Sequence, residues 1–238
     1  MNRQLTDSLQ KSLGISQEQI IREEYEMIIL KKLFESGIGK SFVFKGGTAL
    51  RLAYGSPRFS EDLDFSSSEV TIDQIEDIVI DTIREIEREG IKIDIKESKK
   101  TTGGYLAIIS FSLQGQKIDI KLEISQRKEK NIGEIITIIN DYIPPYNMTA
   151  ITKELLVAGK IHALLERQKA RDFYDLYYFL RANLISVNEK NILPKVLALL
   201  SNNNIQFNKE LKIFLPKSHW GIIKDFKKIL AQEIRWVI

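Results

Sequence analysis

The spacing of hydrophobic and polar positions changes character several times along the chain. The first strong element is helical and spans 16–36, with Ser16 and Gln19 at capping-box spacing and Gly37 as a natural stop. Phe42-Val43-Phe44 is a short apolar run, the mark of a buried strand, and Gly46-Gly47 breaks it. A short helix is predicted over 48–54, ended by Gly55-Ser56-Pro57. Residues 62–65 alternate polar and apolar as a strand does, and a second long helix, 72–89, stops at Gly90. Alternation returns at Ile91, Ile93 and Ile95. Two further strands, 105–113 and 118–124, flank a hairpin turn at Gln114-Gly115-Gln116.

Pro144-Pro145 marks the best boundary. Beyond it the pattern is helical, over 153–167, 171–181, 189–201 and 220–237. The expectation is a mixed α/β domain over 1–145, opened by a helix, and a helical domain over 146–238.

Composition narrows the chemistry. With 43% hydrophobic and 28% charged residues in 238, the chain has enough apolar material for a packed core. Cysteine is absent, which excludes a disulfide framework, a thiolate zinc site and a cysteine nucleophile, and fits a reducing cytoplasm. His162 and His219 are the only histidines, so any metal would be held by carboxylates. That points to a hard ion, Mg²⁺ or Mn²⁺. No run approaches the ~20 apolar residues of a membrane span, and no signal-peptide core opens the chain. A net charge of +3, from 35 basic and 32 acidic residues, is too balanced to mark a nucleic-acid binder, so any basic footprint is local.

Two stretches carry candidate chemistry. In the first, a strand leads through Gly46-Gly47 into a helix opened by Thr48. Glycine lets backbone approach a ligand without an intervening Cβ, and a helix N-terminus presents N–H groups to a phosphate. A double glycine alone is more often a tight turn, but Asp62 and Asp64 follow one helix and loop later. Residues i and i+2 of a strand share a face, so the two carboxylates can share a divalent cation before a bound triphosphate. Ser60 stands two positions earlier and would face the same cavity. A third acid is expected on the strand Ile118–Ile124, where Asp119, Lys121 and Glu123 share the polar face. Periodicity does not choose between Asp119 and Glu123.

The second stretch is Lys160–Asp175. On a continuous helix, Lys160, Arg167, Arg171 and Asp175 fall within roughly 80° of arc, a cationic stripe able to grip phosphates. Lys169 falls on the apolar side, which suggests a break near Gln168. Lys160 on a hydrophilic arc should tolerate removal structurally. His162 is expected to be packed or solvated, and Tyr174 is the one aromatic of its run offered for base stacking.

Taken in order, these stretches resemble the AbiEii/AbiGii family of nucleotidyltransferase toxins. Lys45-Gly46-Gly47-Thr48-Ala49-Leu50-Arg51 is similar to its first motif and Arg58-Phe59-Ser60-Glu61-Asp62-Leu63-Asp64-Phe65 to the acidic motif that follows. Lys160 through Asp175, with the pattern Lys-x₆-Arg-x₃-Arg-Asp-x₂-Asp, is similar to the two late motifs. The resemblance implies an α/β (α+β) polymerase-β-like nucleotidyltransferase core with a mixed sheet, followed by a helical C-terminal domain. It implies that Ser60, Asp62, Lys160 and Asp175 are tied to activity, and that Glu123 stands where the family more usually has a third-strand aspartate; Asp64 joins the catalytic candidates through its shared strand face with Asp62. Lys45, Gly46, Gly47, Thr48, Arg51, Arg167, Arg171 and Asp172 become the expected nucleotide-binding positions, and Asp62 and Asp64 the metal ligands. Relatives add nucleotides to the 3′ end of tRNA or bind GTP, in pairs with a separately encoded antitoxin. The expected reaction is therefore transfer of a nucleoside monophosphate from a nucleoside triphosphate to an RNA hydroxyl in the cytoplasm. Three alternatives stand beside it: a small-molecule or protein acceptor, a kinase-like phosphotransfer, and an idle nucleotide- or partner-binding module, against which the intact Asp62/Asp64 pair argues.

Overall fold

A computed structural model describes residues 3–67, 69–113, 116–126, 132–140 and 143–238. Two helices come first, α1 (Arg3–Leu13) and α2 (Gln17–Glu35). Ser16 caps α2, its hydroxyl accepting from the Gln19 N–H at 3.3 Å. Strand β1 (Val43–Lys45) runs directly into α3 (Gly46–Leu52), so the double glycine is the first turn of the helix. Then follow β2 (Asp62–Ser66), α4 (Ile72–Arg88), β3 (Ile93–Thr101), β4 (Gly104–Leu113), β5 (Gln116–Ser125), β6 (Gly133–Ile138) and β7 (Tyr146–Ile151). Thr71 and Gln74 close a reciprocal capping box on α4. The predicted Gln114-Gly115 turn lies outside the described residues, but the strands it would join pair antiparallel throughout.

The seven strands form one mixed sheet in the order β3-β4-β5-β2-β1-β7-β6. The sheet therefore continues past Pro144-Pro145: β7 follows the proline pair and lies parallel to β1, with Phe44 beside Ala150. The expected boundary at 145 cuts off a strand that the sheet contains. Helices α2 and α4 cover one face, burying Leu63, Phe65, Leu122 and Ile124 with Tyr25, Ile29, Ile75 and Val79 in a single core. Tyr25 stacks on Phe111 with ring centres 4.1 Å apart. The opposite face of β2 and β5 is polar, and α5 (Lys153–Arg167) packs beside it through Leu156, Val157 and Ile161 against Leu50 of α3 and Ile151 of β7.

Helix α5 ends at Gln168, which adopts a left-handed conformation with φ 50°. Helix α6 (Ala170–Arg181) starts afresh two residues later. The break expected near Gln168 is thus present, and the cationic stripe of a continuous helix is not. The remaining helices are α7 (Val187–Lys190), α8 (Leu193–Asn202), α9 (Phe207–Leu211), α10 (Trp220–Lys224) and α11 (Phe226–Val237). They gather around α6 in a second core that includes Phe173, Tyr174, Val196, Phe207, Phe226 and Leu230. Tyr174 is 1% exposed and stacks on Phe226 at 5.9 Å, so it is a core residue and not a platform for a base. His162 is solvated on α5, beside Glu166. Among the described residues, no helix is long and apolar enough to cross a membrane.

Candidate active site

Three strands set the site's floor. In the antiparallel β1–β2 pair Lys45 stands opposite Asp64, and in the parallel β2–β5 pair Asp64 lies beside Glu123 and Asp62 beside Lys121. Residues in register across a sheet point to the same face. Lys45, Asp64 and Glu123 therefore form one row and Asp62 and Lys121 the next, while Leu63 and Phe65, both 0% exposed, point into the core. Glu123 Oε2 lies 3.0 Å from Lys121 Nζ. These side chains line a cavity of about 660 Å³ that α5 closes from above, together with Gly46, Gly47, Ser60, Lys160 and Arg171. Asp119 is not part of it: its carboxylate is 2.6 Å from Lys96 Nζ, and that pairing holds it below the usual carboxylate range. Of the two candidate acids on β5, geometry brings Glu123 to the pair.

The glycines are a steric necessity. Gly46 has φ 85°, and a Cβ there would strike the Asp64 carboxylate. A Cβ on Gly47 would lie 2.5 Å from Ser60 Oγ and 3.2 Å from Arg58 Nη2. The double glycine thus lets helix α3 start directly beneath the acid pair. Gly46→Ala should cost about 1–3 kcal/mol from backbone strain alone. It should also displace Asp64 and suppress activity beyond what the fall in Tm explains; parallel melting and turnover measurements check this.

Asp64 is the strained acid. Burial raises its pKa, and the neighbouring charges of Asp62 and Glu123 raise it further against the opposing pull of Lys160 and Lys45. A raised carboxyl pKa means that ionisation costs the folded state, a cost absent below the ordinary value of 3.8, growing as pH rises from there to the shifted value and complete above it. Asp64→Asn should therefore raise the Tm of the ligand-free protein at neutral pH, by about 2–4 °C for each kcal/mol recovered. A melting scan at pH 7 that shows a lower Tm would contradict the electrostatic account.

Behind the cavity wall sits a buried ion cluster. Asp175, on α6 and 1% exposed, accepts two bonds from Arg58, Nε at 2.8 Å and Nη2 at 3.0 Å. It accepts a third from Lys160 Nζ at 2.8 Å. Burial pushes its carboxyl upward, but the charges of Arg58 and Lys160 prevail and hold it at about 2. Lys160 is pulled below its ordinary value by burial, with Asp175 opposing. Its side chain is only 11% exposed, so the expected surface lysine is a buried ion-pair residue. Nearby, Asp172 accepts from Arg167 Nη2 at 2.7 Å and from the Lys169 N–H at 3.1 Å, which caps α6. Arg171 lines the cavity, and its buried Nε has no hydrogen-bond partner among the described residues.

Of the expected site residues, Lys45, Gly46, Gly47, Ser60, Asp62, Asp64, Glu123, Lys160, Arg167 and Arg171 converge on the cavity. Four do not meet it, and Asp175, buried behind the wall in the ion cluster with Arg58 and Lys160, is the first. Thr48 is buried, and its hydroxyl donates to the Asp62 carbonyl at 2.7 Å, locking α3 to β2 instead of reaching a phosphate. Arg51 turns to the other side of α3, where it pairs with Glu23, donates to the carbonyls of Ser56 and Pro57 and stacks 3.4 Å over Phe59. Asp172 acts behind Arg167. Arg58 and Lys121 are cavity residues that sequence reasoning passes over. Lys121 has a signal, since it shares a strand face with Glu123.

The donor set suits a hard divalent ion. Asp62 and Asp64 offer oxygen ligands, and burial, together with the neighbouring charges of Asp62 and Glu123, already raises the Asp64 pKa. Among the described residues no three acidic or histidine side chains converge closely enough to cage a metal alone. Mg²⁺ commonly takes one or two carboxylates and completes its shell with water and substrate phosphates, so a pair is sufficient.

Comparisons with known proteins agree with this geometry. Two solved structures share the fold: a protein from H. pylori assigned as a nucleotidyltransferase, and JHP933 from Helicobacter pylori. The first has a TM-score of 0.67 at 21% identity, over 94% of this chain and 96% of the other. The second has a TM-score of 0.67 at 22% identity, over 94% and 93%. No curated protein matches in sequence. A model of the family described as nucleotidyl transferase AbiEii toxin, type IV toxin–antitoxin system, matches residues 28–232. With the match running from α2 into α11 and taking in the glycine turn, the acid pair and the ion cluster, the chain belongs to the AbiEii family of nucleotidyltransferase toxins.

Proposed function

We propose that this nucleotidyltransferase joins a nucleoside monophosphate to an RNA acceptor, foremost the 3′ end of tRNA, in a divalent-metal-dependent reaction opposed in the cell by a separately encoded antitoxin. One observation carries the reading: Asp62 and Asp64 project from one face of β2 into the same cavity as the Gly46-Gly47 turn and Arg171. The division of labour suggests two domains, with the α/β part running through β7 and the helical part starting at α5. Both substrates place the reaction in the cytoplasm.

Asp62 and Asp64 would hold Mg²⁺ or Mn²⁺, and the ion would supply positive charge against the charge that develops on the phosphates in the transition state. The chain's own residues do the rest. Gly46 and Gly47 admit the triphosphate close to the backbone, and the Ser60 hydroxyl donates to it. Arg171, which lines the cavity, receives the β- and γ-phosphates through its guanidinium. Lys160, tethered by Asp175, adds a fixed positive charge on the α5 side, and Arg167, braced by Asp172, adds one at the mouth. The acceptor oxygen attacks the α-phosphorus while its proton passes to Glu123. The bond from the α-phosphorus to the bridging oxygen breaks, and pyrophosphate leaves.

The test is incubation with total RNA, Mg²⁺ and each α-labelled nucleoside triphosphate in turn, with γ-labelled nucleotide alongside. Label from the α position should appear in tRNA-sized RNA. Transfer of γ label would make the enzyme a phosphotransferase, and label in protein or small molecules would replace RNA as acceptor.

A further inference from the structure

Charge is unevenly divided along the chain. Residues 153–238 carry fifteen Lys and Arg against eight Asp and Glu, whereas residues 1–152 carry twenty against twenty-four. Part of the excess lines a groove of about 480 Å³ formed by α9, α10 and the start of α11, distinct from the catalytic cavity. Lys209, Lys224, Lys227 and Lys228 line it, all exposed, with Asp225 as the one acid among its lining residues. Phe207, Ile223 and Phe226 make its buried floor.

The approach to the groove is rich in amides. Ser201-Asn202-Asn203-Asn204-Ile205-Gln206-Phe207-Asn208 holds four asparagines and a glutamine, and Gln206 and Asn208 lie in the lining. Lys227 is built into this wall: its Nζ donates to the carbonyls of Ser201 and Asn203 at 2.9 and 3.0 Å. The groove is also one helix from the chemistry. Phe207 packs edge-on against Phe173 with centres 5.6 Å apart, and Phe173 stands two residues beyond Arg171 of the cavity wall on α6.

We infer that this groove binds the backbone of the RNA acceptor away from its reacting end, an inference that rests on the RNA reading above. Lysines serve phosphates, and amide side chains serve sugar hydroxyls and base edges; the two interleaved on one surface match a polynucleotide. The net negative charge of residues 1–152 turns a polyanion toward this side of the molecule.

The experiment is binding of total tRNA to the full-length protein, without nucleotide, across a salt series. The triple variant Lys209→Ala, Lys224→Ala, Lys228→Ala should flatten the log–log salt slope by about 2, since each lost phosphate contact removes roughly 0.7–0.9. Lys227 is spared because of its carbonyl bonds. Removing the exposed Lys40, Lys190 and Lys195 in the same way should leave the slope unchanged. Returning arginine at the three groove positions should restore it. Binding of a fluorescent nucleoside triphosphate to the groove variant should match wild type, which separates groove from cavity. An unchanged slope in the groove variant, with wild type still binding RNA, overturns the groove and leaves the RNA reading standing. No salt-dependent RNA binding by wild type overturns both.

Discussion

Asp62→Asn should lower nucleotide transfer by at least about a thousandfold and leave the fold standing. The substitution keeps the shape and removes one of two carboxylate charges that face the cavity. Losing roughly 4 kcal/mol of transition-state stabilisation corresponds to about three decades of rate, at 1.36 kcal/mol per decade. The fold should survive because the structural bond at this position uses the backbone: the Asp62 carbonyl accepts from Thr48, and asparagine retains it. Leu63 on the other face keeps its place in the core. The measurement pairs α-label transfer at saturating Mg²⁺ with a melting curve. Activity within tenfold of wild type would remove Asp62 from the metal site. Loss of activity together with collapse of Tm would make it a structural acid.

The acid pair is legible in the amino-acid order because the relevant geometry is local. Polar–apolar alternation over Asp62–Phe65 implies two carboxylates on one face and two hydrophobes on the other, and the register with β1 and β5 completes the row. The helices α2 and α4 announce themselves through caps and glycine stops for the same reason. Where the deciding contact is remote in sequence, the chain carries no local sign of it. Thr48 and Arg51 sit in a motif whose glycines touch the cavity, yet α3 begins at Gly46 and turns Thr48 toward β2 and Arg51 toward Glu23. Nothing in a single helical turn shows which of its polar residues meets the ligand. Strand β6 escapes a reading of periodicity because an edge strand need not alternate: Ile135 and Ile136 are adjacent, and Ile135 is 78% exposed. Strand β7 does alternate, burying Tyr146, Met148 and Ala150, but the proline pair before it has the look of a linker.

The cavity also separates tight fixation from availability. Lys160, Arg58 and Arg167 are each committed to an aspartate of α6, whereas the buried Nε of Arg171 has no hydrogen-bond partner among the described residues. Preorganised charges cost no rearrangement when the substrate arrives, which is the form of electrostatic catalysis that proteins use most effectively. The arrangement also ties the helical part to the strand that carries the acid pair. Arg58 precedes β2, Asp175 belongs to α6, and the Phe59 N–H donates to the Phe214 carbonyl at 2.8 Å just beyond α9. A perturbation of the ion cluster is thus transmitted directly to the strand that carries the acid pair.

Asp175→Ala should be the most destabilising single change at the site. It leaves Arg58, whose side chain is 4% exposed, and Lys160 as buried charges without a counterion. Removing one partner of a buried pair costs about 3–5 kcal/mol, and here two cations lose the same partner. For a chain of this length that predicts a fall in Tm on the order of 10 °C. The pH dependence supplies an independent check. The Asp175 carboxyl is depressed from 3.8 to about 2, so its contribution is complete above the unfolded value and is lost as pH falls toward the folded one. Wild type should therefore lose stability between about pH 4 and pH 2 more steeply than Asp175→Ala, and the two curves should converge at the acid end. A double-mutant cycle with Arg58→Ala isolates the pair. Because a lone buried charge costs more than the absence of both, the double variant should be clearly more stable than the sum of the single losses predicts. Additivity within about 0.5 kcal/mol would mean that the bidentate geometry contributes nothing, and that Asp175 matters only through Lys160.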